Sequence, residues 1–534
     1  MGSGKDVVMI EMRTLATAKE EGKQSANEFS DDALIEVIAM ASEAIDKATT
    51  CYIDALTPFK RETLSLCLVE EKIDETLYTF IETNYANDVE KAIAHMAKSE
   101  RSTELKKIRT TILEALEKEG KEAPKDLVSK VLEAYKKTIV RSMILDKNIR
   151  ADGRALDEVR PIAIETNLLP SVHGSCLFTR GQTQALVTAT LGDKKDSQMY
   201  ELITSNNSLS ENFMVHYNFP GYSVGEAKFI GAPGRRELGH GNLGKRALEP
   251  SLPLNYDGTI RLVSEILESN GSSSMATICG GSLALRAAQI ETTELVAGIA
   301  MGLVTQGDKY AVLTDIMGLE DHDGDMDFKV AGTTNGITAL QMDIKLGGVD
   351  LAVLKDALNQ ATKGNNHILE LMEESAKNIQ KSDALPSTEY FIVHPSKIVE
   401  IIGKAGANIR EIIEKFEVSI DLERESGGVK VSGSSEENVL NAKKYIKEMT
   451  SAPIKQQMEY KVGGSYDGKI KRIVDFGLFV EMPDGYDALL HISKVAKERV
   501  NNLPERYKEG DMITVIVMEQ KGKKVELATP EFLG

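Results

Sequence analysis

Five acidic side chains lie close together in one short segment, and a lysine follows them. They are Glu320, Asp321, Asp323, Asp325 and Asp327, with Lys329 closing the segment. So many like charges repel one another unless a cation lies among them. Carboxylate oxygens completed by water are the ligands that suit Mg²⁺ or Mn²⁺. The segment therefore predicts a divalent metal site, with an ordinary solvated acidic turn as the alternative.

Two predicted strands would position these acids. Residues 310–316 form an apolar run typical of a buried strand, and residues 326–330 alternate between apolar and polar side chains. The acids between the strands are expected to lie in a loop. Because successive side chains of a strand point to opposite faces, the spacing predicts that Asp325, Asp327 and Lys329 share one face.

Three consecutive serines offer a site for an anion. Ser272, Ser273 and Ser274 follow Gly271, which permits a tight turn, and they open a helical stretch that continues to residue 289. Serine hydroxyls and backbone N–H groups at a helix N-terminus stabilise an oxyanion. An ordinary serine-rich helix cap is the alternative.

A glycine-rich stretch adds Arg235, Arg236 and His240. Arginine binds phosphate through two parallel hydrogen bonds, and the glycines let the backbone approach a ligand. A structural salt bridge for one arginine, and loop-holding hydrogen bonds for His240, are the alternatives. Together with the acids and the serines, this stretch predicts phosphoryl transfer, in which catalysis rests mostly on positioning and charge neutralisation.

The C-terminal part of the chain carries two patterns typical of nucleic-acid binding. A Gly-x-x-Gly loop lies between an apolar run and an amphipathic helix and consists of Gly403, Lys404, Ala405 and Gly406. A loop of this type clamps the backbone of a single-stranded nucleic acid. Further on, alternating strands carry rings that could stack on bases. Phe476 and His491 are expected to point outward, whereas Phe479 fits either the core or the surface.

Composition narrows the class of protein. The 534 residues indicate several domains, and the chain contains no apolar run long enough to span a membrane. The four cysteines are scattered, which fits a reducing, cytosolic setting rather than a zinc site. The net charge of −18 argues against a nucleic-acid partner, but residues 391–534 hold 22 Lys and Arg against 23 Asp and Glu. A nearly neutral module can still present a basic face.

Changes in pattern along the chain predict its organisation. Residues 7–12 form a strand with no partner nearby, so residues 1–29 are expected to be the remnant strand and linker of a missing domain. Apolar positions then recur every three or four residues, as in a helix, and these helices carry no chemistry that the sequence identifies. The predicted boundaries after the linker are all-α at 30–146, mixed α/β at 147–385, a small domain at 386–450 and a β-rich domain at 455–534.

These motifs resemble the polynucleotide phosphorylase (polyribonucleotide nucleotidyltransferase) family over essentially the whole chain. The resemblance also rests on residues 149–154, 178–184, 215–220 and 324–329. It implies a multidomain α/β protein, with an all-α segment, a second RNase PH-like domain (ribosomal protein S5 domain 2-like), a KH domain and an OB-fold S1 domain. The family's first RNase PH-like domain is expected to be the part missing before residue 30.

The resemblance implies a phosphorolytic 3′-to-5′ exoribonuclease that acts in mRNA degradation. Phosphate attacks single-stranded RNA and releases nucleoside diphosphates, and the reverse reaction is a template-independent polymerisation. The implied partners are a homotrimer and an RNA-degradation complex with a helicase or endonuclease, in the cytoplasm. The implied roles are metal-linked catalytic acids for Asp321 and Asp327, a catalytic lysine for Lys329, and phosphate or RNA contacts for Ser272, Ser273, Ser274, Arg235, Arg236 and His240.

Two other functions remain open from the sequence. A truncated, catalytically weak chain would act as an RNA-binding scaffold, although its intact acids, lysine and serines argue against a degenerate site. A hydrolytic exonuclease would use water in place of phosphate, whereas the serine turn and the arginine pair favour phosphate.

Overall fold

The structure is a computed structural model that describes residues 2–3, 6–18, 24–61, 72–95, 98–121, 123–204, 207–229, 231–451, 458–498, 502–521 and 524–534. The chain divides into two compact units, Met1–Pro386 and Ser387–Gly534, as the expectation of several domains requires. In the described ranges, no helix is both long and apolar enough to cross a lipid bilayer. Three of the cysteines, Cys51, Cys176 and Cys279, are free thiols, and Cys67 lies outside the described residues.

Short strands precede the first helix. Their bounds are β1 Gly2–Ser3, β2 Asp6–Val7, β3 Met9–Arg13, β4 Thr17–Ala18 and β5 Gln24–Ser25. Strand β3 pairs antiparallel with Gly336–Ile344, and its Ile10 and Met12 pack against the main core. The strand that was expected to have no partner nearby in sequence therefore belongs to a sheet of the α/β domain, while the assignment of residues 1–29 to a missing domain stays a prediction. Its partner lies so far along the chain that local pattern could not reveal it.

Helices fill most of residues 31–147, as predicted. They are α1 Asp31–Leu56, α2 Glu75–Ile93, α3 Lys98–Lys118 and α4 Lys125–Lys147. Ser30 caps α1 by accepting a hydrogen bond from the amide of Ala33 at 3.3 Å. Helices α2, α3 and α4 pack together, with the ring of Tyr78 edge-on to that of Tyr135 at 5.3 Å between centroids. We call these three helices the helical bundle.

Helix α1 packs elsewhere, along the helix Leu351–Ala376 of the α/β domain. The Thr362 hydroxyl donates to the Asp31 carboxylate at 2.9 Å, and Lys355 pairs with Asp32 at 2.8 Å. The segment predicted as all-α at 30–146 is therefore divided between two packing environments. Periodicity identifies the apolar face of a helix, but it does not say which element covers that face.

The α/β domain contains two five-stranded sheets, which confirms the predicted fold class: the first is mixed, with one parallel pairing between β11 and β12, and the second is antiparallel throughout. The first has the order β11-β12-β8-β7-β6 and the second the order β14-β13-β15-β16-β3. The strand bounds are β6 Ile162–Thr166, β7 Gly174–Arg180, β8 Thr183–Gly192, β9 Gln198–Glu201, β10 Ser208–Glu211, β11 Phe213–Asn218, β12 Thr259–Glu268, β13 Ala297–Gln306, β14 Lys309–Thr314, β15 Met326–Thr333 and β16 Gly336–Ile344. The helices are α5 Arg235–Leu248, α6 Ser273–Ala287, α7 Gly318–Asp323 and α8 Leu351–Ala376.

Helix α6 lies between the two sheets and forms the centre of the core. It contacts β7 and β8 of one sheet and β13 of the other, and every residue in it except Arg286 is buried. Gly280 allows this close approach, because a Cβ atom there would lie 2.9 Å from Val187 Cγ2. The serine turn at the start of α6 is thereby fixed by the core of the domain.

The first part of the second unit is a three-stranded sheet with three helices. The strands are β17 Ser387–Ile392, β18 Ser419–Glu423 and β19 Gly428–Gly433, in the order β17-β19-β18, and the helices are α9 Ile398–Ile402, α10 Ala407–Phe416 and α11 Glu436–Thr450. Ile401, Val429, Val431 and Ile446 form its buried centre. This arrangement agrees with the small domain predicted at 386–450.

The second part is a closed barrel of five strands in the order β20-β21-β22-β24-β23, as an OB-fold requires. The strands are β20 Ser465–Val474, β21 Gly477–Glu481, β22 Asp487–His491, β23 Met512–Lys521 and β24 Lys524–Ala528, and a final short helix α12 covers Pro530–Leu533. Alternate side chains such as Leu478, Val480 and Leu490 fill the barrel. The β-rich domain predicted at 455–534 is therefore an antiparallel barrel closed by one parallel pairing.

Candidate active site

The acidic segment consists of the short helix α7 followed by strand β15, rather than the loop expected from the sequence. The amide of Met317 donates to the Glu320 carboxylate at 2.8 Å, which holds the first turn of α7. The strand predicted at 310–316 is present as β14, and β15 matches the one predicted at 326–330. The segment therefore has a fixed backbone in which each acid points in a defined direction.

Three of the five acids form ion pairs that join the segment to its surroundings. Glu320 is buried against Arg150, whose Nε donates at 2.7 Å. The carboxylate of Asp325 accepts two bonds from Arg141 of α4, at 2.9 and 2.8 Å. Asp323 lies 3.4 Å from Lys136 Nζ of the same helix. Most of the predicted like-charge repulsion is therefore offset by arginine and lysine.

Asp325 does not share a face with Asp327 and Lys329, which corrects the prediction from alternation. It precedes β15, and the backbone and hydroxyl of Thr305 donate to its carboxylate at 2.8 and 2.9 Å. Asp327 and Lys329 do lie on one face, with Lys329 Nζ 2.5 Å from the Asp327 carboxylate. Strand alternation therefore holds only inside the strand itself.

Asp321 and Asp327 both line a cavity of about 1160 Å³ in the first unit. Burial raises the pKa of Asp321, and the nearby charge of Asp327 raises it further. Among the described residues, no three His, Cys, Asp or Glu side chains are arranged to hold a metal by themselves. Two facing carboxylates suit a cation that takes its other ligands from water and phosphate oxygens.

The serine turn forms another wall of the same cavity. Gly271 has φ +89°, and a Cβ atom there would lie 2.6 Å from the Ile316 carbonyl oxygen, so only glycine fits. Helix α6 then begins at Ser273, within the run of serines that was expected to open it, and the Ser273 hydroxyl lies 2.8 Å from that of Tyr217. The first amides of a helix have no acceptor within the helix, so they are available to an anion.

A buried arginine network fixes this turn, and the sequence did not reveal its role. Arg160 donates to the Asn270 carbonyl at 2.9 Å and to the Asp315 carboxylate at 2.7 Å. Arg180 donates to the Ser272 carbonyl at 3.3 Å. Burial alone would raise the pKa of Asp315, but the charges of Arg180 and Arg160 hold it well below the ordinary value. Asp315 sits in an apolar strand end with no motif to mark it.

Arg236 and His240 of helix α5 line the cavity, whereas Arg235 does not. The guanidinium of Arg236 lies 5.1 Å from the centre of the Phe219 ring. Burial, with the charges of Lys329 and Arg236, lowers the pKa of His240 to about 3, so its ring is neutral at pH 7. His240 Nδ1 is buried with no hydrogen-bond partner in the described part of the chain. Within the described residues, Nδ1 therefore makes none of the loop-holding hydrogen bonds considered for His240.

The cavity carries an excess of positive charge in an acidic chain. Its described lining has eight Lys and Arg against four Asp and Glu, whereas the whole chain has a net charge of −18. Four of the basic residues come from the helical bundle, which the sequence left without a chemical role: Arg101, Lys106 and Arg109 of α3 and Lys136 of α4. A cavity of this sign attracts anions.

In the second unit, the Gly-x-x-Gly loop joins α9 to α10 as predicted. Gly403 and Gly406 have φ +71° and +79°, and Ala405 has φ +53°. A Cβ atom on Gly403 would lie 2.5 Å from the side chain of Asn408. Arg410 donates to the Gly406 carbonyl at 3.1 Å, and Lys404 is exposed. The loop therefore presents its backbone and one lysine to solvent.

The predicted rings of the barrel lie on its outer surface. Phe476 is 51% exposed, and His491 is exposed beside Ser493, whose hydroxyl lies 2.7 Å from Nδ1. Phe479 is half-buried, and its neighbours along the strand point into the core. The guanidinium of Arg472 lies 4.6 Å from its ring centre. Phe479, which the sequence left undecided, is therefore a surface ring covered by an arginine.

Comparison with known proteins identifies the family. Family models match residues 158–291 (3′ exoribonuclease family, domain 1), 76–155 (polyribonucleotide nucleotidyltransferase, RNA binding domain), 388–448 (KH domain) and 459–527 (S1 RNA binding domain). A polyribonucleotide nucleotidyltransferase of Sulfurovum sp. is 69% identical over the whole chain, which covers 76% of that relative. The chain belongs to the polyribonucleotide nucleotidyltransferase family.

Other relatives agree with this assignment. The polyribonucleotide nucleotidyltransferase of Campylobacter curvus is 53% identical over 99% of the chain, which covers 76% of that relative. That of Aliarcobacter butzleri is 50% identical over 99% of the chain, which covers 75% of it. The predictions of this family, of its domain types and of a phosphorolytic exoribonuclease are confirmed.

Proposed function

We propose that the chain degrades single-stranded RNA from its 3′ end by phosphorolysis in the cavity beside Asp321 and Asp327. The observation that carries this proposal is the meeting of two carboxylates, Lys329 and the start of helix α6 in one positively charged cavity. Inorganic phosphate and a phosphodiester are both anions, so their reaction requires fixed positive groups on several sides. The cavity supplies such groups from separate elements of the fold.

Asp321 and Asp327 would hold Mg²⁺ or Mn²⁺, since a cation of this type binds through one or two carboxylates and keeps its waters and phosphate oxygens. When bound, the cation would neutralise charge on the reacting phosphoryl group. Lys329 would balance the charge of Asp327 and contact the phosphate oxygens. Lys329 and Arg236 both lower the pKa of His240, which indicates that their charges act on one small region.

The serine turn would bind the attacking phosphate. Amides at the start of α6 would donate to its oxygens, and Ser273 is held in place by Tyr217. Attack forms a bond from a phosphate oxygen to the terminal phosphorus and breaks the bond to the 3′ oxygen of the preceding nucleotide. That oxygen takes up a proton, and a nucleoside diphosphate leaves. Reversal of the same step adds nucleotides without a template.

The second unit would capture the strand. The loop at Gly403, Lys404, Ala405 and Gly406 would clamp the backbone, while Phe476, Phe479 and His491 would stack on bases. We extend the proposal to a homotrimer in the cytoplasm that joins a helicase or endonuclease in RNA degradation, as the resemblance implies. Light scattering tests the first part, with three times the mass of one chain as the expected result.

Incubation of labelled poly(A) with and without phosphate distinguishes the alternatives. Release of ADP that depends on phosphate is the expected result. Release of AMP without phosphate would instead identify a hydrolytic exonuclease. Binding without any turnover would identify an RNA-binding scaffold. The turn before α6 favours phosphorolysis, because water as the nucleophile would need no anion site.

A further inference from the structure

The helical bundle forms one wall of the catalytic cavity and contributes basic side chains to it. Arg101, Lys106 and Arg109 of α3 line the cavity together with Asp321 and the serine turn. Helix α4 fixes this wall in relation to the acidic segment, through Lys136 with Asp323 and Arg141 with Asp325. The bundle is therefore held against the site by its own ion pairs.

The charges of this wall have little to neutralise them. Arg101 is only 6% exposed, yet its one hydrogen bond within the described residues goes to the His95 carbonyl, at 2.9 Å. Arg109 donates to the Ser129 hydroxyl at 3.1 Å, while its Nε is buried and unbonded in that part of the chain. A guanidinium has five N–H donors, so most remain available.

The nearest acids do not supply the missing partners. Burial lowers the pKa of Arg101, and the charges of Asp323 and Glu320 offset only part of that effect. Both acids are already paired, with Lys136 and Arg150. Over the described ranges, no carboxylate forms a salt bridge with Arg101, Lys106 or Arg109. A buried cation without a carboxylate partner, as Arg101 is, is costly unless an anionic ligand completes it, whereas Arg109 is half-buried and Lys106 is exposed to the cavity.

We propose that Arg101, Lys106 and Arg109 add further contacts to the diphosphate of the nucleoside diphosphate that the reaction releases or consumes, whose outer phosphate is the one bound at the serine turn of the same cavity. A nucleoside diphosphate carries about three negative charges at neutral pH, whereas each RNA phosphodiester carries one. A wall of three cations matches the charge of one diphosphate, and the comparison with oligo(A) below separates this ligand from the strand. This inference rests on the proposed function and adds a role for the helical bundle to it.

Calorimetric titration of the full chain with ADP and with AMP, both in the presence of Mg²⁺, tests the subsite. The variant is Lys106→Gln with Arg109→Gln, because these side chains are less buried than Arg101. The matched control is Lys107→Gln, an exposed lysine of the same helix that pairs with Glu104 at 2.7 Å and does not line the cavity. Melting temperatures of all variants verify that the fold is intact.

The double variant should weaken ADP binding by about tenfold or more, since charge-assisted bonds to phosphate are lost. AMP binding should change by less than about threefold, and Lys107→Gln should match the unaltered chain. Equal weakening of ADP and AMP, or no weakening of ADP, would overturn the proposal. So would weaker binding of oligo(A) with ADP unchanged, which would assign the wall to the RNA strand.

These measurements distinguish a failure of the diphosphate subsite from a failure of the proposed phosphorolysis. Phosphate-dependent release of ADP from poly(A) by the unaltered chain, with ADP affinity unchanged in the double variant, would remove the subsite and leave phosphorolysis intact. Weaker ADP binding in the variant, with no phosphorolysis by the unaltered chain, would retain the subsite and remove the reaction. The kinetic counterpart is a higher KM for ADP in polymerisation with kcat nearly unchanged.

Discussion

The candidate catalytic cavity and the candidate RNA-binding surfaces of the second unit hold their functional groups in opposite ways. Around the cavity, buried ion pairs and hydrogen bonds hold the elements that carry the functional side chains: Arg141 binds Asp325 just before β15, and Arg160 donates to the turn before α6. In the second unit, the candidate groups are exposed, as Phe476 and Lys404 are. Phosphoryl transfer needs charges preorganised within a fraction of an ångström, whereas strand capture needs accessible rings and backbone.

Two acids of the acidic segment also differ in role, one facing the cavity and the other stabilising the fold. Asp327 faces the cavity, while Asp325, two residues away, holds α4 to the domain. A change at Asp327 should lower the reaction rate without affecting the fold. A change at Asp325 should lower the stability of the fold with little effect on the reaction rate. Variants at these positions test whether that division is real.

The largest expected effect is that of Asp327→Asn. Loss of the carboxylate should lower turnover of poly(A) by about three orders of magnitude, because charge on the reacting phosphoryl group is no longer offset. Affinity for RNA should stay nearly unchanged, since the second unit is untouched. Phosphorolysis rates and filter binding measure the two quantities. A variant that keeps the unaltered rate would show that the metal assignment is wrong.

Asp325→Asn should act on stability. It removes one charge from a largely buried pair whose Arg141 is 18% exposed, so we expect a loss of about 2–3 kcal/mol in unfolding free energy. Denaturant titration measures this loss, and turnover per folded molecule should change by less than about tenfold. A loss of turnover as large as that of Asp327→Asn, in a stable protein, would contradict the division between the two acids.

The same pair predicts a pH dependence of stability. Burial would raise the pKa of Asp325, but hydrogen bonds from Arg141 and Thr305 lower it below its ordinary value of 3.8. A lowered folded-state pKa gives stability that is present above about pH 3.8 and is lost as the pH falls through the folded value. Unfolding free energies between pH 5 and 2.5 should therefore fall less steeply for Asp325→Asn than for the unaltered chain.

In the second unit, Phe479→Ala with His491→Ala should weaken binding of oligo(A) by about tenfold, because a stacked base contributes about 1–3 kcal/mol. Met512→Ala is the matched control, since Met512 is 67% exposed on another strand of the barrel. Fluorescence anisotropy measures the affinity. Equal weakening by the control would mean that the rings have no special role.

The smallest effect is expected for Lys404→Gln in the Gly-x-x-Gly loop. A single phosphate contact is lost, so affinity should fall by a few-fold, and the slope of log affinity against log salt should decrease by about one. The same anisotropy titration at several salt concentrations measures this slope. An unchanged slope would show that Lys404 does not contact phosphate.

Features that depend only on neighbouring residues could be predicted from the sequence. The loop at 403–406, the turn at Gly271 and the outward rings of the barrel depend on neighbouring residues, and each lies where it was predicted. Contacts that join distant segments could not be predicted in this way. The pairing of β3 with β16, the packing of α1 on α8 and the capture of Asp325 by Arg141 all depend on residues far away in the chain.

The helical bundle shows the same limit most clearly. Its apolar periodicity predicted the helices, but nothing in that pattern says that Arg101 is buried in the wall of the cavity that Asp321 also lines. Only the tertiary arrangement brings the bundle to the cavity, and the ion pairs of α4 that hold it there use two acids, Asp323 and Asp325, of the segment in which the sequence predicted a metal site. A basic residue on a helix is ordinarily a solvated one.

The most direct test of the account is a crystal structure of the chain soaked with Mn²⁺ and phosphate. The account predicts an anomalous peak about 2.0–2.2 Å from oxygens of both Asp321 and Asp327, with phosphate at the amides of Ser273 and Ser274. An empty position between the two carboxylates, with phosphate bound elsewhere, would contradict it.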